Sequence, residues 1–446
     1  MAKTKKVFIA LLGFGKLGQG LYETLEKYRE KIKHQTGIDL ELNHILVKHL
    51  NHKRHLTAPR HLFTDKVNTL LNDDKLNIVI DAIGGIEPTY GIIKKVLNKG
   101  CHLISANRAL LASKMRDVFE LARSKNVHLQ FDAALGGGIP IVRVLKRDLI
   151  ACKILGMWGI ASGSSNYILT EMHRTKKTIK EVVKSPALQR ISESHIVIDY
   201  EGSDSAQKLA LLAAMVFGVE VNYLQVHAEG ISQIKPLDIK FAEEFGYHIK
   251  HLTILKDQKN GLELRVHPTM VPVDHPLISV KFDYNAVYIQ TDMIGEFMLY
   301  GKGAGVYPAA NMIIRDLVDV AVSVKTQSQD LYEFPRWNEK PVLSISEIVS
   351  AYYLRFTCLD IPGAMGKIAT VLGENNINIS SAHASQRGYQ SGDPTAYVHI
   401  FVEMAKEKDI SNAISTIRRL NIIRDNTTIF RIIGELPNVD SIVKAG

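Results

Sequence analysis

The feature that most constrains the fold is a glycine-rich turn between an apolar run and a helical segment near the N-terminus. Residues 7–12 are continuously apolar, as expected for a parallel strand that is buried on both faces. The turn that follows is Gly13-Phe14-Gly15-Lys16-Leu17-Gly18, and helical periodicity then continues to about Lys33. Such glycines permit a tight turn, and the helix presents free N–H groups to an anion. The arrangement predicts a pyrophosphate site for a dinucleotide; the alternative is a purely structural turn.

Strands and helices alternate through the first part of the chain. The pattern predicts strands at 40–47, 77–82, 102–106 and 127–133, with helices at 90–98 and 110–125. This alternation is typical of an α/β fold with a doubly wound, Rossmann-type sheet, which we place in residues 1–135.

The character of the chain changes at the glycine run that begins at Gly136. Mixed strands and helices over 136–325 predict an α+β catalytic and dimerisation domain, and the helix after Pro308 is expected to pack back on the first domain. Residues 326–350 are polar and predict a linker. The remaining segment, 351–446, has the order strand, helix, strand, strand, helix, strand, which predicts a ferredoxin-like βαββαβ domain.

Composition excludes several classes of protein. No apolar stretch is long enough to span a bilayer, and the start of the chain has no signal region, so we expect a cytoplasmic protein without a membrane partner. Three scattered cysteines predict neither a disulfide framework nor a cysteine metal site. The net charge is +9, but no nucleic-acid-binding motif accompanies the basic clusters. A solvated basic surface is therefore favoured, and nucleic-acid binding is a distant alternative.

The end of the second predicted strand bears on the choice of nucleotide. The sequence there is Val47-Lys48-His49, without the acidic residue that holds a ribose 2′-hydroxyl in NAD-binding domains. Lys48, with Lys53 or Arg54, is suited to a 2′-phosphate instead. NADP(H) is therefore favoured over NAD(H), with an ordinary solvated loop as the alternative.

A carboxylate and a lysine share one face of a later helix. Asp204 and Lys208 are four residues apart, and an apolar run follows the lysine directly. A lysine held in such a setting can donate a proton to a carbonyl oxygen as hydride arrives at carbon. On spacing alone, however, an ordinary surface ion pair explains these residues better.

Further motifs change that balance because, in their order along the chain, they resemble homoserine dehydrogenase. They are Ile83-Gly84-Gly85-Ile86-Glu87-Pro88, Gly136-Gly137-Gly138-Ile139-Pro140-Ile141, Gly163-Ser164-Ser165-Asn166-Tyr167-Ile168-Leu169, the helix of Asp204 and Lys208, Arg265-Val266-His267-Pro268-Thr269 and Gly303-Ala304-Gly305. The resemblance covers nearly the whole chain. It implies the NAD(P)-dependent reduction of L-aspartate 4-semialdehyde to L-homoserine, a step in threonine, methionine and isoleucine biosynthesis.

The resemblance also implies roles for individual residues. Lys208 would be the proton donor and Asp204 its partner, and the small-molecule substrate would contact Glu193, Asp199 and Gly163. Cofactor contacts would come from Gly13 to Gly18 and from Lys48, Gly84, Ser105, Asn107, Arg108 and Gly303. A monovalent cation, Na⁺ or K⁺, would lie at Asp132, Leu135 and Gly137.

Several positions depart from the family pattern. Arg108 stands where the family has lysine, and arginine keeps the charge but cannot give up its proton. Asp132 replaces a glutamate, Ser162 an asparagine, and Ala309 a threonine. These changes keep two alternatives open: an oxidoreductase for another amino-acid semialdehyde, and a catalytically weakened regulatory homologue that binds nucleotide and amino acid.

The C-terminal segment resembles an ACT domain, with Asp360-Ile361-Pro362-Gly363 at its first turn. The resemblance implies allosteric control by an amino acid bound at a paired ACT interface, with threonine the expected feedback effector. Asp360, Gly363 and Ala364 would contact that effector. A homodimer or homotetramer is expected, and a module that only dimerises the chain is the alternative.

Overall fold

The N-terminal sheet has six parallel strands in the order β3-β2-β1-β4-β5-β6. The structure is a computed structural model that describes residues 5–56, 58–185, 200–328, 336–390 and 393–434. The strands are β1 Lys5–Leu12, β2 Ile38–Leu46, β3 Phe63–Thr64, β4 Leu76–Asp81, β5 His102–Ser105 and β6 Leu129–Gln130. This order reverses beside β1, so the predicted doubly wound sheet is confirmed, with a ligand crevice at the carboxyl end of β1.

One helix and one strand of this domain differ from the predicted ones. The helices are α1 Lys16–Thr36, α2 Val67–Leu71, α3 Thr89–Asn98, α4 Arg108–Ser113, α5 Met115–Ser124 and α6 Asp132–Leu135. The helix predicted over 110–125 breaks at Lys114, which lets both halves bury apolar residues in one core. The strand predicted over 127–133 ends early because the backbone N–H of Asp132 bonds the Asp316 carboxylate instead of a strand.

The second domain is built on strands β7 to β12. These are β7 Ile154–Ile160, β8 His227–Ala228, β9 Tyr247–Gln258, β10 Gly261–Pro272, β11 Tyr284–Thr291 and β12 Glu296–Lys302. Its main sheet runs in the order β12-β11-β7-β9-β10, with β8 beside β10. Its helices are α7 Ile141–Arg143, α8 Gly163–Thr175, α9 Ile179–Val183, α10 Ser203–Phe217 and α11 Pro236–Glu244.

A long helix, α12 Val306–Thr326, returns from the second domain to the first and packs on α1. A Cβ on Gly20 would lie 1.9 Å from Val306 Cγ1, so the two helices meet where α1 has no side chain. The Lys325 ammonium also donates to the Thr36 carbonyl at 3.0 Å. The helix therefore fixes the nucleotide domain against the second domain.

The C-terminal domain has the predicted ferredoxin-like topology. Its elements are β13 Val349–Leu359, α13 Ala364–Glu374, β14 Ile379–Gln390, β15 Asp393–Lys406, α14 Glu407–Ile417 and β16 Thr428–Ile432. The strand order β16-β13-β15-β14 is that of a split βαβ unit. Short 3-10 segments lie at Arg60–Leu62, Tyr223–Gln225, Pro276–Ser279 and Ile345–Glu347, and a π-helical turn lies at Val144–Asp148.

Strand β16 joins this domain to the second one. It pairs in parallel with β10 through Thr269 with Arg431 and Met270 with Ile432, so the two sheets form one continuous sheet. The segment before the C-terminal domain is also bonded to the second domain, because the Leu262 N–H on β10 donates to the Pro341 carbonyl at 2.8 Å. The pairing gives each of two sheet edges a hydrogen-bonding partner.

The described residues also test the expectations from composition. None of their helices combines the length and apolarity that crossing a membrane requires. Cys101, Cys152 and Cys358 are all free thiols.

Candidate active site

The start of α10 places two charged side chains at the boundary between the first two domains. Gly202, with φ +81°, precedes the helix, and a Cβ there would lie 3.4 Å from both His251 and Val266. The helix start is thus pressed against β9 and β10, and the apolar residues that follow are buried. As a result Asp204 and Lys208 are enclosed, each with a 9% exposed side chain.

Asp204 is shared between two cations. Its Oδ2 lies 3.1 Å from Lys208 Nζ, and its Oδ1 pairs with a guanidinium N–H of Arg108 from the nucleotide domain. The other terminal nitrogen of Arg108 donates to the Ala134 carbonyl at 3.0 Å. Since these side chains are enclosed, the alternative of an exposed surface pair does not describe them.

Lys208 is further oriented by the carbonyl of Ala161, to which its ammonium donates. The Asn285 amide donates to the same carbonyl at 3.0 Å. Among the described residues Lys208 thus uses two of its three N–H groups, which leaves one for a substrate oxygen. A small, largely apolar cavity of about 30 Å³ adjoins the lysine.

Sequence reasoning missed Asn285. Its amide oxygen is buried and has no hydrogen-bond partner in the described part of the chain. The available signal was an amide in a strand that also contains Gln290, which does not reveal what either amide faces.

Two glycine loops pack closely beside this cluster. A Cβ on Gly303 would lie 2.1 Å from Asn285 Cγ, and one on Gly137 would lie 2.1 Å from the Gly303 carbonyl oxygen. The Gly138 N–H donates to the Lys302 carbonyl at 3.1 Å. Gly163, which opens α8, is similarly close to Asp283, whose carbonyl oxygen would lie 3.0 Å from a Cβ. Glycine is therefore required by packing at Gly137 and Gly303, whereas a side chain at Gly163 would need only a small shift of its neighbour.

The N-terminal glycine turn has the geometry of an anion site. Gly13, with φ +94°, bonds the end of β2 through the Leu46 carbonyl at 2.9 Å. A Cβ on Gly18 would lie 2.3 Å from the Gly13 carbonyl oxygen, whereas one on Gly15 would meet open space. Gly15 begins α1 without a side-chain cap, so the first N–H groups of the helix suit a pyrophosphate.

The three other residues of that turn differ in how far they are buried. Phe14 is buried and stacks edge-on against Phe63 at 5.2 Å, while Leu17 is half-buried and Lys16 is exposed. Phe14 thus anchors the turn to the core while the lysine faces outward.

The three candidate cations for a 2′-phosphate have different settings, and two of them, Lys48 and Arg54, can be compared directly. Lys48 is exposed directly beyond β2. Arg54 instead bonds the His49 and His52 carbonyl groups at 2.7 and 2.9 Å and stacks over Phe63 at 5.0 Å. Arg54 therefore shapes the loop, and Lys48 is the better placed of the two to meet a ligand.

The ends of β4 and β5 are held together by a buried carboxylate. Asp81 accepts hydrogen bonds from the Ile83 N–H and the Ser105 hydroxyl, both at 3.1 Å, and burial raises the pKa of Asp81. The Asn107 amide donates to the Gly85 carbonyl at 2.7 Å. Ser105 and Asn107 thus fix the turn of Gly84 and set the start of α4, from which Arg108 reaches Asp204.

Asp132, a predicted cation ligand, already has a partner. Its carboxylate accepts from the Val142 N–H at 2.7 Å and pairs with the guanidinium of Arg315, which also pairs with Asp316. Burial raises the pKa of both carboxyls, that of Asp316 to about 7 with help from the charge of Asp132. A monovalent cation here would depend on the carbonyl groups of Leu135 and Gly137. Sequence reasoning missed Arg315.

The remaining predicted residues are two carboxylates before α10 and the turn before α13. Glu193 and Asp199 lie outside the described residues. Asp360 and Gly363 are exposed at the turn before α13, where Gly363 has φ +81°, and Ala364 is buried as the first residue of that helix. The Asp360 N–H donates to the Pro394 carbonyl at 2.9 Å.

A dinucleotide crevice that adjoins an enclosed lysine–carboxylate–arginine cluster defines an NAD(P)-dependent oxidoreductase. Comparison with family models agrees: one described as homoserine dehydrogenase matches residues 140–318, its NAD binding domain matches 13–132, and an ACT domain matches 352–421. The chain belongs to the homoserine dehydrogenase family, as its motifs predicted.

Individual relatives support this assignment over the full length. The homoserine dehydrogenase of Neisseria gonorrhoeae is 33% identical over 96% of this chain and 99% of its own. That of Bacillus subtilis is 31% identical with the same coverage. The crystal structure of a homoserine dehydrogenase from Thiobacillus denitrificans superposes with a TM-score of 0.89 at 31% identity, covering 96% of this chain and 98% of that one.

Proposed function

We propose that the protein reduces L-aspartate 4-semialdehyde to L-homoserine with a nicotinamide cofactor, in the biosynthesis of threonine, methionine and isoleucine. The observation that carries the proposal is the pairing of Lys208 with Asp204 at 3.1 Å, within a member of this family and beside its dinucleotide crevice. The biosynthetic role favours a cytoplasmic location.

Lys208 is the proton donor in this proposal. Its remaining N–H points the proton at the carbonyl oxygen, while Asp204 and the Ala161 carbonyl hold the ammonium in place. The hydride comes from the reduced nicotinamide when the cofactor is bound. In the reverse direction Lys208 takes the proton from the hydroxyl of homoserine.

Arg108 contributes charge and position in this proposal. Its guanidinium stays protonated, so it does not transfer a proton. One carboxylate between two cations leaves the cluster with a net positive charge, which favours the negative charge that develops on the substrate oxygen. Because Arg108 belongs to the nucleotide domain, the same contact sets the distance between the two domains.

Substrate recognition remains a proposal at three positions. Gly163 supplies backbone at the start of α8, and carboxylates at Glu193 and Asp199 suit the α-ammonium of the substrate.

Lys48 is proposed to favour NADP(H) over NAD(H). Lys48→Ala should raise the KM for NADP about tenfold and leave the KM for NAD unchanged, since one charge-assisted hydrogen bond is lost. Equal changes for both cofactors would contradict this role.

We further propose that the ACT domain binds an amino acid, with threonine the expected effector at Asp360, Gly363 and Ala364, and that the protein is a homodimer or homotetramer. The exposed turn before α13 supports the first point. A monovalent cation would be held here by the carbonyl groups of Leu135 and Gly137, since Arg315 already pairs with Asp132.

The test follows nicotinamide absorbance with homoserine and NADP or NAD at alkaline pH, beside a panel of other amino alcohols. Turnover of homoserine supports the proposal. Turnover of only another amino alcohol would favour the alternative oxidoreductase. Cofactor binding without turnover of any amino alcohol would favour the regulatory homologue. The departures from the family pattern at Arg108 and Ala309 support that alternative.

A further inference from the structure

A buried arginine connects the ACT domain to the catalytic domain. Arg431, on β16, is bidentate to Glu407 of its own domain, with both distances 2.7 Å. Its third nitrogen lies 2.8 Å from a carboxylate oxygen of Glu229, which follows β8 in the catalytic domain. The side chain of Arg431 is 7% exposed and that of Glu229 is 42% exposed, so the pair is shielded from water on the arginine side.

Glu229 is held on both its side chain and its backbone. Burial raises the pKa of its carboxyl, but the hydrogen bond from His227 and the charge of Arg431 outweigh burial and bring the pKa to about 2. Its N–H donates to the Val266 carbonyl at 2.8 Å, and its carbonyl accepts from His251 Nε2 at 2.9 Å. A shift of the side chain must therefore move the backbone or break these bonds.

The backbone around Glu229 forms the surface on which α10 begins. A Cβ on Gly230 would lie 2.2 Å from the Tyr200 carbonyl oxygen, which also accepts the Ile231 N–H at 3.1 Å. A Cβ on Gly202, the cap of α10, would lie 3.5 Å from the Glu229 carbonyl oxygen. Asp204 lies in the first turn of that helix.

We propose that Glu229 is a positioning residue, through which Arg431 of the ACT domain sets the start of the helix that carries Asp204 and Lys208. The inference builds on the proposed function, because it concerns the geometry of the same site. It also gives the ACT domain a closely packed route to the catalytic lysine, through one ion pair and the backbone contacts around Gly230 and Gly202.

A second ion pair between the same two domains provides a matched control. Arg355 on β13 lies 2.6 Å from Asp238 on α11, and both side chains are almost fully buried. In the described part of the chain, the hydrogen bonds of Asp238 are made to Lys235 at the start of its own helix and do not reach the residues around Gly202. Loss of this pair should therefore loosen the docking of the domains without moving the start of α10.

The experiment compares Glu229→Gln with Asp238→Asn in the full-length protein. Amide hydrogen exchange over residues 200–208 is the first readout, and kcat and KM for homoserine and NADP are the second. We expect Glu229→Gln to speed exchange there and to lower kcat/KM for homoserine about fivefold, with the KM for NADP unchanged. Asp238→Asn should lower the melting temperature but change neither readout.

A third variant tests whether the effect passes through the ion pair. Adding Arg431→Gln to Glu229→Gln should change neither readout further, because both substitutions remove the same ion pair. Arg431→Gln also breaks the pair with Glu407, so only the melting temperature of the double variant should fall further. Unchanged exchange in Glu229→Gln, equal acceleration in Asp238→Asn, or additive effects in the double variant would each overturn the proposal. If the wild type does not turn over homoserine, the proposed function fails, while the exchange result still decides the role of Glu229.

Discussion

Two enclosed charge clusters lie where the domains meet, and their compositions are opposite. At the head of α10, one carboxylate, Asp204, lies between two cations, Lys208 and Arg108. Beneath the end of the nucleotide sheet, one cation, Arg315, lies between two carboxylates, Asp132 and Asp316. The first cluster has surplus positive charge and the second has surplus negative charge.

The difference separates a site for chemistry from a structural contact. The first cluster adjoins a cavity and keeps one N–H of Lys208 for a ligand, so its surplus charge can meet a developing oxyanion. The second is shut off, with Asp132 and Asp316 at most 1% exposed, so its surplus charge is relieved by proton uptake. This is why the pKa of Asp316 rises to about 7.

The sharpest way to separate the clusters is Lys208→Ala. Loss of the proton donor should lower kcat by about 10² to 10⁴ while the dissociation constant of the cofactor stays nearly unchanged. Steady-state kinetics and cofactor titration measure the two effects. Near-normal turnover would show that Lys208 is not the proton donor, and the first cluster would then no longer be distinguished from the second as a site for chemistry.

Arg315→Gln tests the structural cluster. It leaves two buried carboxylates without a countercharge, so the free energy of unfolding should fall by about 3–5 kcal/mol. Denaturant titration measures this. The control is Arg147→Gln, which removes a half-buried pair with Asp319, a residue on the same helix as Arg315. A loss of under about 1 kcal/mol, the usual value of a surface pair, would contradict the buried role.

A smaller effect is expected from Asp316→Asn, as a change in pH dependence. A carboxyl whose pKa is raised in the folded state stabilises the fold at low pH, and this contribution is lost as pH rises from the unfolded value of 3.8 to about 7. The melting temperature of the variant relative to that of the wild type should therefore increase as the pH rises between these values. A constant difference would show that Asp316 does not titrate there.

Much of the fold followed from local patterns. The glycine turn after β1 and the α/β alternation have short-range causes, so the crevice was predictable. The spacing of Asp204 and Lys208 predicted that both lie on one face of a helix, and the family motifs predicted a catalytic role for that face. Glu193 and Asp199 stay predictions, since they lie outside the described residues.

What the sequence did not reveal depends on distant contacts. Arg315 is one arginine on an amphipathic helix, and only the return of α12 to the first domain brings it to Asp132. Asn285 is one amide in a strand, and the pairing of β10 with β16 requires two domains to dock in register. No periodicity in the chain encodes such pairings.

The central claim is that Lys208 transfers a proton whereas Arg108 supplies only charge and position. Exchanging the two cations, as Lys208→Arg and Arg108→Lys, tests it directly, because both variants keep the charge and arginine cannot release its proton. With homoserine oxidation as the assay, the account predicts that Arg108→Lys retains turnover and Lys208→Arg is as impaired as Lys208→Ala. Substantial turnover in Lys208→Arg would contradict it.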